Sequence, residues 1–378
     1  MVDLMSTDTE FFDTIIIGGG QAGLAMGHEL KKTGRSFVIL DAHPRVGGAW
    51  RNRWDSLVMF TPARFCGLPG MRFPTRGSHQ PTKDEMADYL EAYAARFALP
   101  VRTSTRVDGL TRRGDRFVVT SGSQTFEANN VVVAMANFQQ PKVPPFAADL
   151  DVSIRQLHSF EYRNPAQLAD GGVLVVGVGN SGAEIAIELA KQRPTWLAGH
   201  EGGHIPFRID TFVGRNVGAR VVRFAFHHVL TLRTPIGRKA RPSFLTKATP
   251  LIRTKPKDLV AAGVTRVERI GSVANGRPVT EDGQALDVAN VIWSTGYRPG
   301  FSWIDLPVLG DRQEPVHERG IVAQEPGLYF IGLEFLFSVS SATVTGVGRD
   351  ARRVAKQIDA RPHTSKSSSA PQAVAAAR

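Results

Sequence analysis

An apolar run that ends in a glycine turn and opens into a helix occurs twice in this chain, and no other feature limits its fold as tightly. The first copy is the run Thr14–Ile17 followed by Gly18-Gly19-Gly20-Gln21-Ala22-Gly23. The second is Val173–Val176 followed by Gly177-Val178-Gly179-Asn180-Ser181-Gly182. A single GxGxxG turn is a weak signal. Two copies, each set between a predicted strand and a predicted helix, are far more specific.

The glycines have a physical purpose. They permit a tight turn and let backbone N–H groups approach a pyrophosphate at the positive end of the helix that follows. Gly18, Gly20, Gln21, Ala22 and Gly23 are therefore candidate contacts to one dinucleotide, and Gly177, Gly179, Asn180, Ser181 and Gly182 to another. Asp41 lies 23 residues beyond Gly18 at the end of the next predicted strand. A carboxylate there can accept hydrogen bonds from both hydroxyls of an unphosphorylated ribose, such as that of FAD. The same spacing from Gly177 reaches His200, preceded by Gly199. No acid stands there to repel a 2′-phosphate, so the second site is expected to take NADPH or NADH.

The order of elements suggests how the two units are joined. Strand-like and helical stretches alternate after each turn, which predicts a mostly parallel, doubly wound sheet in each unit. Strand-like NVIWSTG and GLYFIGL and a helical VGRDARRVAKQI follow the second unit and resemble the end of the first. The expected architecture is α/β with two Rossmann-like dinucleotide-binding domains, the NAD(P)H domain inserted in the FAD domain. Residues 9–147 and 288–358 would form the FAD domain and 150–287 the NAD(P)H domain. The Ser/Ala/Pro-rich residues 361–378 read as a disordered tail. At 378 residues the chain is too long for a single ordinary core, in keeping with this division.

Composition removes several alternatives. With one cysteine, Cys66, the chain can form neither an internal disulfide nor a cysteine metal cluster, and no metal site is expected. A flavoprotein that relays electrons through a dithiol needs two cysteines, so that chemistry is excluded, and Cys66 reads as an inert packed thiol. The net charge of +11 is local: between His204 and Lys257 stand twelve Lys/Arg and one acid, Asp210. No helix-turn-helix, zinc-finger or RNP-like motif accompanies this basic insertion, 204–257, so no nucleic-acid partner is expected. No run of 18 or more uncharged apolar residues is present, so no transmembrane segment is expected. The acidic start, MVDLMSTDTEFFD, lacks the build of a secretory signal, and a cytoplasmic protein follows as the expectation.

With these motifs in hand, the chain resembles the class B flavin-containing monooxygenases, in particular bacterial members related to sulfoxidising and Baeyer–Villiger enzymes. The resemblance spans about residues 11–358. Beside the two turns it rests on Gly47-Gly48-Ala49-Trp50, similar to the family's flavin-proximal GGxW, and on Trp54-Asp55-Ser56-Leu57. It also rests on His158-Ser159 with Tyr162, like the HSxxY part of the family's identifying motif, and on Ser294-Thr295-Gly296-Tyr297, like its ATGY segment. The resemblance implies that Gly48, Trp50, Thr295 and Gly296 lie near the cofactors. It also implies that His158 couples the domains rather than transferring protons.

Three departures stand out. Val152 and Ile154 replace the FxG that begins the identifying motif, and Ala134-Met135-Ala136 replaces the first ATG-like segment. Phe60 stands where the family usually carries an asparagine beside the flavin. Phenylalanine cannot donate a hydrogen bond there, though it can exclude water. Trp50 and Phe60 are the candidates for flavin-pocket walls, with ordinary core packing as the competing role.

The implied activity is an NAD(P)H-dependent monooxygenase. It would transfer one oxygen from O2, through a peroxyflavin, to a small sulfur or nitrogen nucleophile or a ketone. A flavin-dependent NAD(P)H oxidase or electron transferase, and a redox-sensing flavoprotein with negligible turnover, are the competing readings. The expected partners are a small-molecule substrate and O2. A homodimer stays open, as does a peripheral membrane contact through Val217–Leu232. Arg220, Arg223, His227 and Thr231 share one helical stripe of that segment, and Val221, Phe224, Ala225 and Val229 lie elsewhere. Core packing against the NAD(P)H domain is the first expectation for it, a lid over an apolar substrate the second, and a basic membrane-interface helix the third.

Overall fold

The computed structural model describes residues 9–75, 77–200, 202–205, 207–209, 211–246 and 250–362. The tail expected from 361 lies outside the described residues beyond 362.

Two sheets organise the chain. The first contains β1 (Glu10–Ile17), β2 (Phe37–Leu40), β3 (Val101–Arg102), β4 (Gly109–Arg113), β5 (Arg116–Ser121) and β6 (Gln124–Val133) in the order β3-β2-β1-β6-β5-β4. Two short strands follow β6: β7 (Gln140–Pro141) and β8 (Arg155–His158). Next come β9 (Val173–Val176), β10 (Thr195–Ala198), β11 (Thr265–Val267), the antiparallel pair β12 (Ile270–Ala274) and β13 (Arg277–Thr280), and β14 (Asn290–Trp293). The second sheet has the order β11-β10-β9-β14-β8, with every neighbouring pair parallel. After β15 (Tyr297–Arg298), strand β16 (Leu328–Phe330) returns to the first sheet and pairs in parallel with β6.

The central strands are uninterrupted apolar runs because both faces are covered. All four residues of β9 and of β14 are buried, as expected where helices pack on each side of a parallel sheet. Helix α1 (Gln21–Lys31) follows the first glycine turn, and Leu24, Ala25, Met26 and Leu30 bury against the last helix, Val347–Asp359, through Val347, Ala351, Val354 and Ile358. Two further helices build the wall beside the first turn, α2 (Gly48–Arg51) and α3 (Lys83–Arg96). Thr82 caps α3 by accepting from the Glu85 N–H, while the Glu85 carboxylate accepts from the Thr82 N–H. This reciprocal pair satisfies two otherwise unpaired donors. Helix α4 (Asn180–Ala190) follows the second turn.

The strand pairing moves the expected boundaries. Asn290–Trp293, assigned from sequence to the first unit, forms the middle of the second sheet between β8 and β9. Ala147 likewise packs in the core of the second sheet. The chain therefore leaves the first unit before Ala147 and returns to it after Trp293. The reason is register: β14 shares partners with β9 that a linear reading of strand order cannot supply. The two connections meet as a short antiparallel ribbon, with Tyr297 opposite Pro141 and Arg298 opposite Gln140.

Candidate functional site

The two glycine turns have the same geometry. Gly18 and Gly177 adopt φ of +109° and +112°, a region that strains any side chain. A Cβ on Gly23 would collide with the Gly18 carbonyl oxygen, and one on Gly182 with the Gly177 carbonyl oxygen. Each third glycine thus lets its helix lie tight against the strand that precedes it. Gly20 and Gly179 differ from these: a Cβ on either would meet nothing within 4 Å. They are the N-caps of α1 and α4 at φ −78°, ψ −170° and φ −79°, ψ 178°, with no side-chain cap and no acid in the first turn. Open space therefore faces uncapped helix N–H groups at two matched places, which is what a pyrophosphate requires.

The strand ends beside the turns set the ribose position, and here the residue count misleads. The Gly18 N–H donates to the Leu40 carbonyl (2.8 Å) and the Gly177 N–H to the Ala198 carbonyl (2.9 Å). The residue after Leu40 is Asp41 and the residue after Ala198 is Gly199. The structural counterpart of Asp41 is therefore Gly199, not His200, because the second unit is one residue shorter between turn and strand end. Asp41 is buried and accepts from the Gly19 N–H (2.5 Å), the His43 N–H (2.8 Å) and the His43 ring (3.0 Å). Burial opposes its charge, but the His43 and Gly19 hydrogen bonds prevail and hold its carboxyl below the ordinary carboxylate range.

Gly199 has φ +123°, and its carbonyl accepts from Arg266 (2.7 Å). His200 is exposed, with its ring 3.9 Å from Glu268. His200 and Arg266 line a cavity of about 360 Å³ that also takes in Gly199, Glu268, Asp282 and Gln284.

Trp50 is tied to the first turn: its indole N–H donates to Gln21 Oε1 (3.2 Å), and Gln21 Nε2 reaches the Ala342 carbonyl (3.5 Å). Gly47 and Gly48 are pinched between Ala87 of α3 and the His43 side chain, so only glycine lets α2 sit there. Phe60 is half-buried, and its carbonyl accepts from Gln80 (3.3 Å). Asn180 uses its side chain to hold the neighbouring segment, donating to the Pro250 carbonyl (3.2 Å) and accepting from the Ile252 N–H (2.9 Å). Ser181 follows it in the first turn of α4.

Thr295 and Gly296 sit on the return connection. The Thr295 hydroxyl donates to the Lys142 carbonyl, and Lys142 N–H donates to the Gly296 carbonyl (3.0 Å). That same carbonyl is 3.1 Å from His158 Nε2, while His158 Nδ1 accepts from the Phe160 N–H (3.1 Å). The two contacts fix the neutral tautomer with the proton on Nε2, and burial pushes the imidazole below its usual range. His158 thus clamps the end of β8 to the return connection, with Tyr297 edge-on at 5.1 Å.

Three features were not visible in the sequence. Gly332 brings the segment after β16 against Ala22, the first turn's own helix. Glu184 of α4 is buried and paired with Arg253 (2.8 Å), yet burial carries its carboxyl up to about 7 against that attraction. A cavity of about 390 Å³ is lined by Phe65, Leu68 and Met71 together with Arg64, Arg72, Arg223 and Thr345. Each depends on residues far apart in the chain, and only Arg64–Arg72 carry a local signal, a basic and apolar mixture.

The helix expected near Val217 is present but turned over. Residues 212–229 form one continuous helix in which π turns at Gly214–Gly218 and Ala225–Val229 flank the α-helical Ala219–Phe224. Val221 and Phe224, expected in the core, face solvent, while Thr231 is buried and His227 meets Thr345 (3.1 Å). Arg215, Asn216 and His227 have polar partners on the first unit, and Val221 and Phe224 are left outside beside the exposed Arg220 and Arg223. Among the described residues no helix is long and apolar enough to cross a membrane.

Two matched glycine-turn cradles joined by a paired double connection define an oxidoreductase with two dinucleotide-binding domains. Residues 15–197 match the family described as pyridine nucleotide-disulphide oxidoreductase. An uncharacterized CzcO-like oxidoreductase of Geobacillus kaustophilus (strain HTA426) is 40% identical over 350 residues, covering 92% of this chain and 98% of that protein. Indole-3-pyruvate monooxygenase YUCCA1 of Oryza sativa subsp. japonica is 29% identical over 380 residues, covering 91% and 90%. The solved structure of a flavin-containing monooxygenase from Stenotrophomonas maltophilia matches with a TM-score of 0.75 at 28% identity, covering 93% of this chain and 98% of that one. The chain belongs to the flavin-containing-monooxygenase-like family of flavoprotein oxidoreductases. It is an FAD-dependent enzyme that uses NAD(P)H. With one cysteine, buried and pushed up to about 12 by desolvation, it has no dithiol to relay electrons.

Proposed function

We propose that the protein is a monooxygenase that transfers one oxygen atom of O2 to a small sulfur or nitrogen nucleophile or a ketone. The observation that carries the reading is the pair of matched, open glycine turns, one in each sheet-based unit. In this reading FAD lies along Gly18, Gly20, Gln21, Ala22 and Gly23, its ribose on Asp41, with Gly48 and Trp50 beside the ring system. NAD(P)H lies along Gly177, Gly179, Asn180, Ser181 and Gly182, reaching toward His200. Thr295 and Gly296 lie where the two sites approach. The open space at Gly20 and Gly179 and the buried carboxylate of Asp41 fit these groups.

FAD, when bound, would supply the redox chemistry of hydride acceptance and O2 activation. The chain itself binds, orients and excludes water. Asp41 holds a ribose by charge-assisted hydrogen bonds. Trp50, fixed by Gln21, cannot swing away, and Phe60 presents an apolar surface against water. The mixture of arginines and apolar side chains lining the larger cavity supports a substrate with an apolar body and an anionic end. The rice relative is named for indole-3-pyruvate, a substrate that carries a ketone, which supports keeping ketones in the class.

The test is anaerobic mixing with NADPH and then NADH, followed by air and a thioether or ketone. The expected result is flavin bleaching in the first stage and about one oxygenated product per NAD(P)H in the second. Stoichiometric hydrogen peroxide without product would instead favour the oxidase or electron-transferase reading, which Phe60 supports by offering no hydrogen-bond donor.

A further inference from the structure

The helix over 212–229 presents Phe212, Val217, Val221 and Phe224 to water, while Arg215, Asn216 and His227 make polar contacts to the rest of the protein. Phe212, Val217, Val221 and Phe224 are 81%, 56%, 57% and 61% exposed, and they recur at helical spacing along one face. Ile236, on the helix Pro235–Thr246, is exposed as well. Contiguous exposed apolar side chains of this kind mark an interaction surface.

The orientation is locked. A Cβ on Gly214 would strike the Arg208 carbonyl, and one on Gly218 the Phe207 ring, so these glycines form the inner face. Arg64 donates to Asn216 Oδ1 (2.9 Å) and to the Arg215 carbonyl. Arg349 donates to the His227 carbonyl (3.2 Å), and Arg223 lies over the Phe65 ring at 5.3 Å. With its inner face pinned at both ends, the helix cannot roll its apolar stripe inward.

The charge around the stripe identifies what covers it. Residues 211–246 contain seven Lys/Arg and no acid. Arg220, Arg223, Arg233, Arg238 and Lys239 are all exposed beside the apolar residues. A second copy of the chain would bring two such cationic faces together with no acid between them, and the repulsion opposes that arrangement. An anionic phospholipid surface matches both halves: apolar side chains enter the headgroup boundary while the arginines pair with phosphates.

We infer that this face docks on an anionic phospholipid bilayer as an interfacial, non-spanning anchor. Because Arg223 also lines the larger cavity, docking would set one wall of that cavity at the membrane surface. The inference does not depend on the reaction catalysed, since vesicle binding is read without turnover.

The experiment is sedimentation of the full-length FAD-loaded protein with vesicles of equimolar phosphatidylglycerol and phosphatidylcholine, and with phosphatidylcholine alone. Binding is expected to the mixed vesicles, to be much weaker to phosphatidylcholine, and to fade with added salt. Phe212→Ser combined with Phe224→Ser should weaken binding at least about tenfold, and Arg220→Ala about fivefold. Melting temperature and NAD(P)H oxidation should be unchanged in both. No binding to the mixed vesicles, or binding that the double phenylalanine variant leaves intact, would overturn the inference. So would a concentration-dependent dimer that the same variant abolishes, since the face would then belong to a second copy.

Discussion

Asp41 and Gly199 occupy the same place in the two units, each one residue past the strand carbonyl that receives the first glycine's N–H. One unit puts a buried carboxylate there and the other puts a bare backbone. A carboxylate selects an unphosphorylated ribose, and its absence leaves room for either coenzyme at the second turn.

Asp41→Asn keeps an acceptor for the Gly19 N–H but removes the charge. FAD affinity should fall about 10- to 100-fold, the usual worth of a charge-assisted pair, while the KM for NAD(P)H holds steady. Fluorescence titration of the apoprotein with FAD reads the first and steady-state kinetics the second. Undiminished FAD affinity would remove Asp41 from the ribose site.

Gly179 and Gly182 separate room for ligand from room for packing. Gly179→Ala places a methyl in open space on a compatible backbone, so the melting temperature should hold while the KM for NAD(P)H rises about tenfold or more. Gly182→Ala forces α4 off its strand and should cost about 1–3 kcal/mol of stability. Thermal melts with parallel kinetics distinguish the pair, and equal effects on both properties would contradict the assignment.

Glu184 gives the fold a pH dependence. Its carboxyl rises from 4.5 to about 7 on folding, so the folded chain holds the proton more tightly than the unfolded chain. The stability this contributes is complete below pH 4.5 and is lost as pH climbs through about 7, on the order of 3 kcal/mol in all. Denaturant unfolding across that window should show the decline, and Glu184→Gln should flatten it.

His158→Ala breaks the contact to Gly296 that ties the end of β8 to the return connection. The expected result is a lower melting temperature and slower single-turnover hydride transfer, with FAD affinity retained. The imidazole is neutral and fully engaged, so the pH profile of the hydride-transfer rate should keep its shape in the variant. A lost ionisation in that profile would make His158 a proton-transfer group instead of a positioning residue.

Cys66 is buried, and its thiol donates to the Thr61 carbonyl (3.3 Å). N-ethylmaleimide should leave the native enzyme fully active. Cys66→Ala should cost about 1 kcal/mol of stability, from a small cavity, with turnover retained. Inactivation by either route would revive a thiol-based mechanism.

The sequence by itself determined the two cradles. A buried strand, a positive-φ glycine, an open glycine and a third glycine under the helix are local requirements, so they are written contiguously at Gly18–Gly23 and Gly177–Gly182. Strand and helix order, the basic character of 204–257 and the inertness of Cys66 were legible for the same reason. Tertiary structure alone decided which residue lies opposite Asp41, because a one-residue difference in connection length shifts His200 past the strand end. It also decided that β14 joins the second sheet, since strand pairing is a contact between distant segments. The 212–229 helix carries its apolar stripe outward because Arg64, Thr345 and Arg349, remote in the chain, offer polar partners to its other face. Periodicity reveals that a helix has two faces; only the neighbours determine which one is buried.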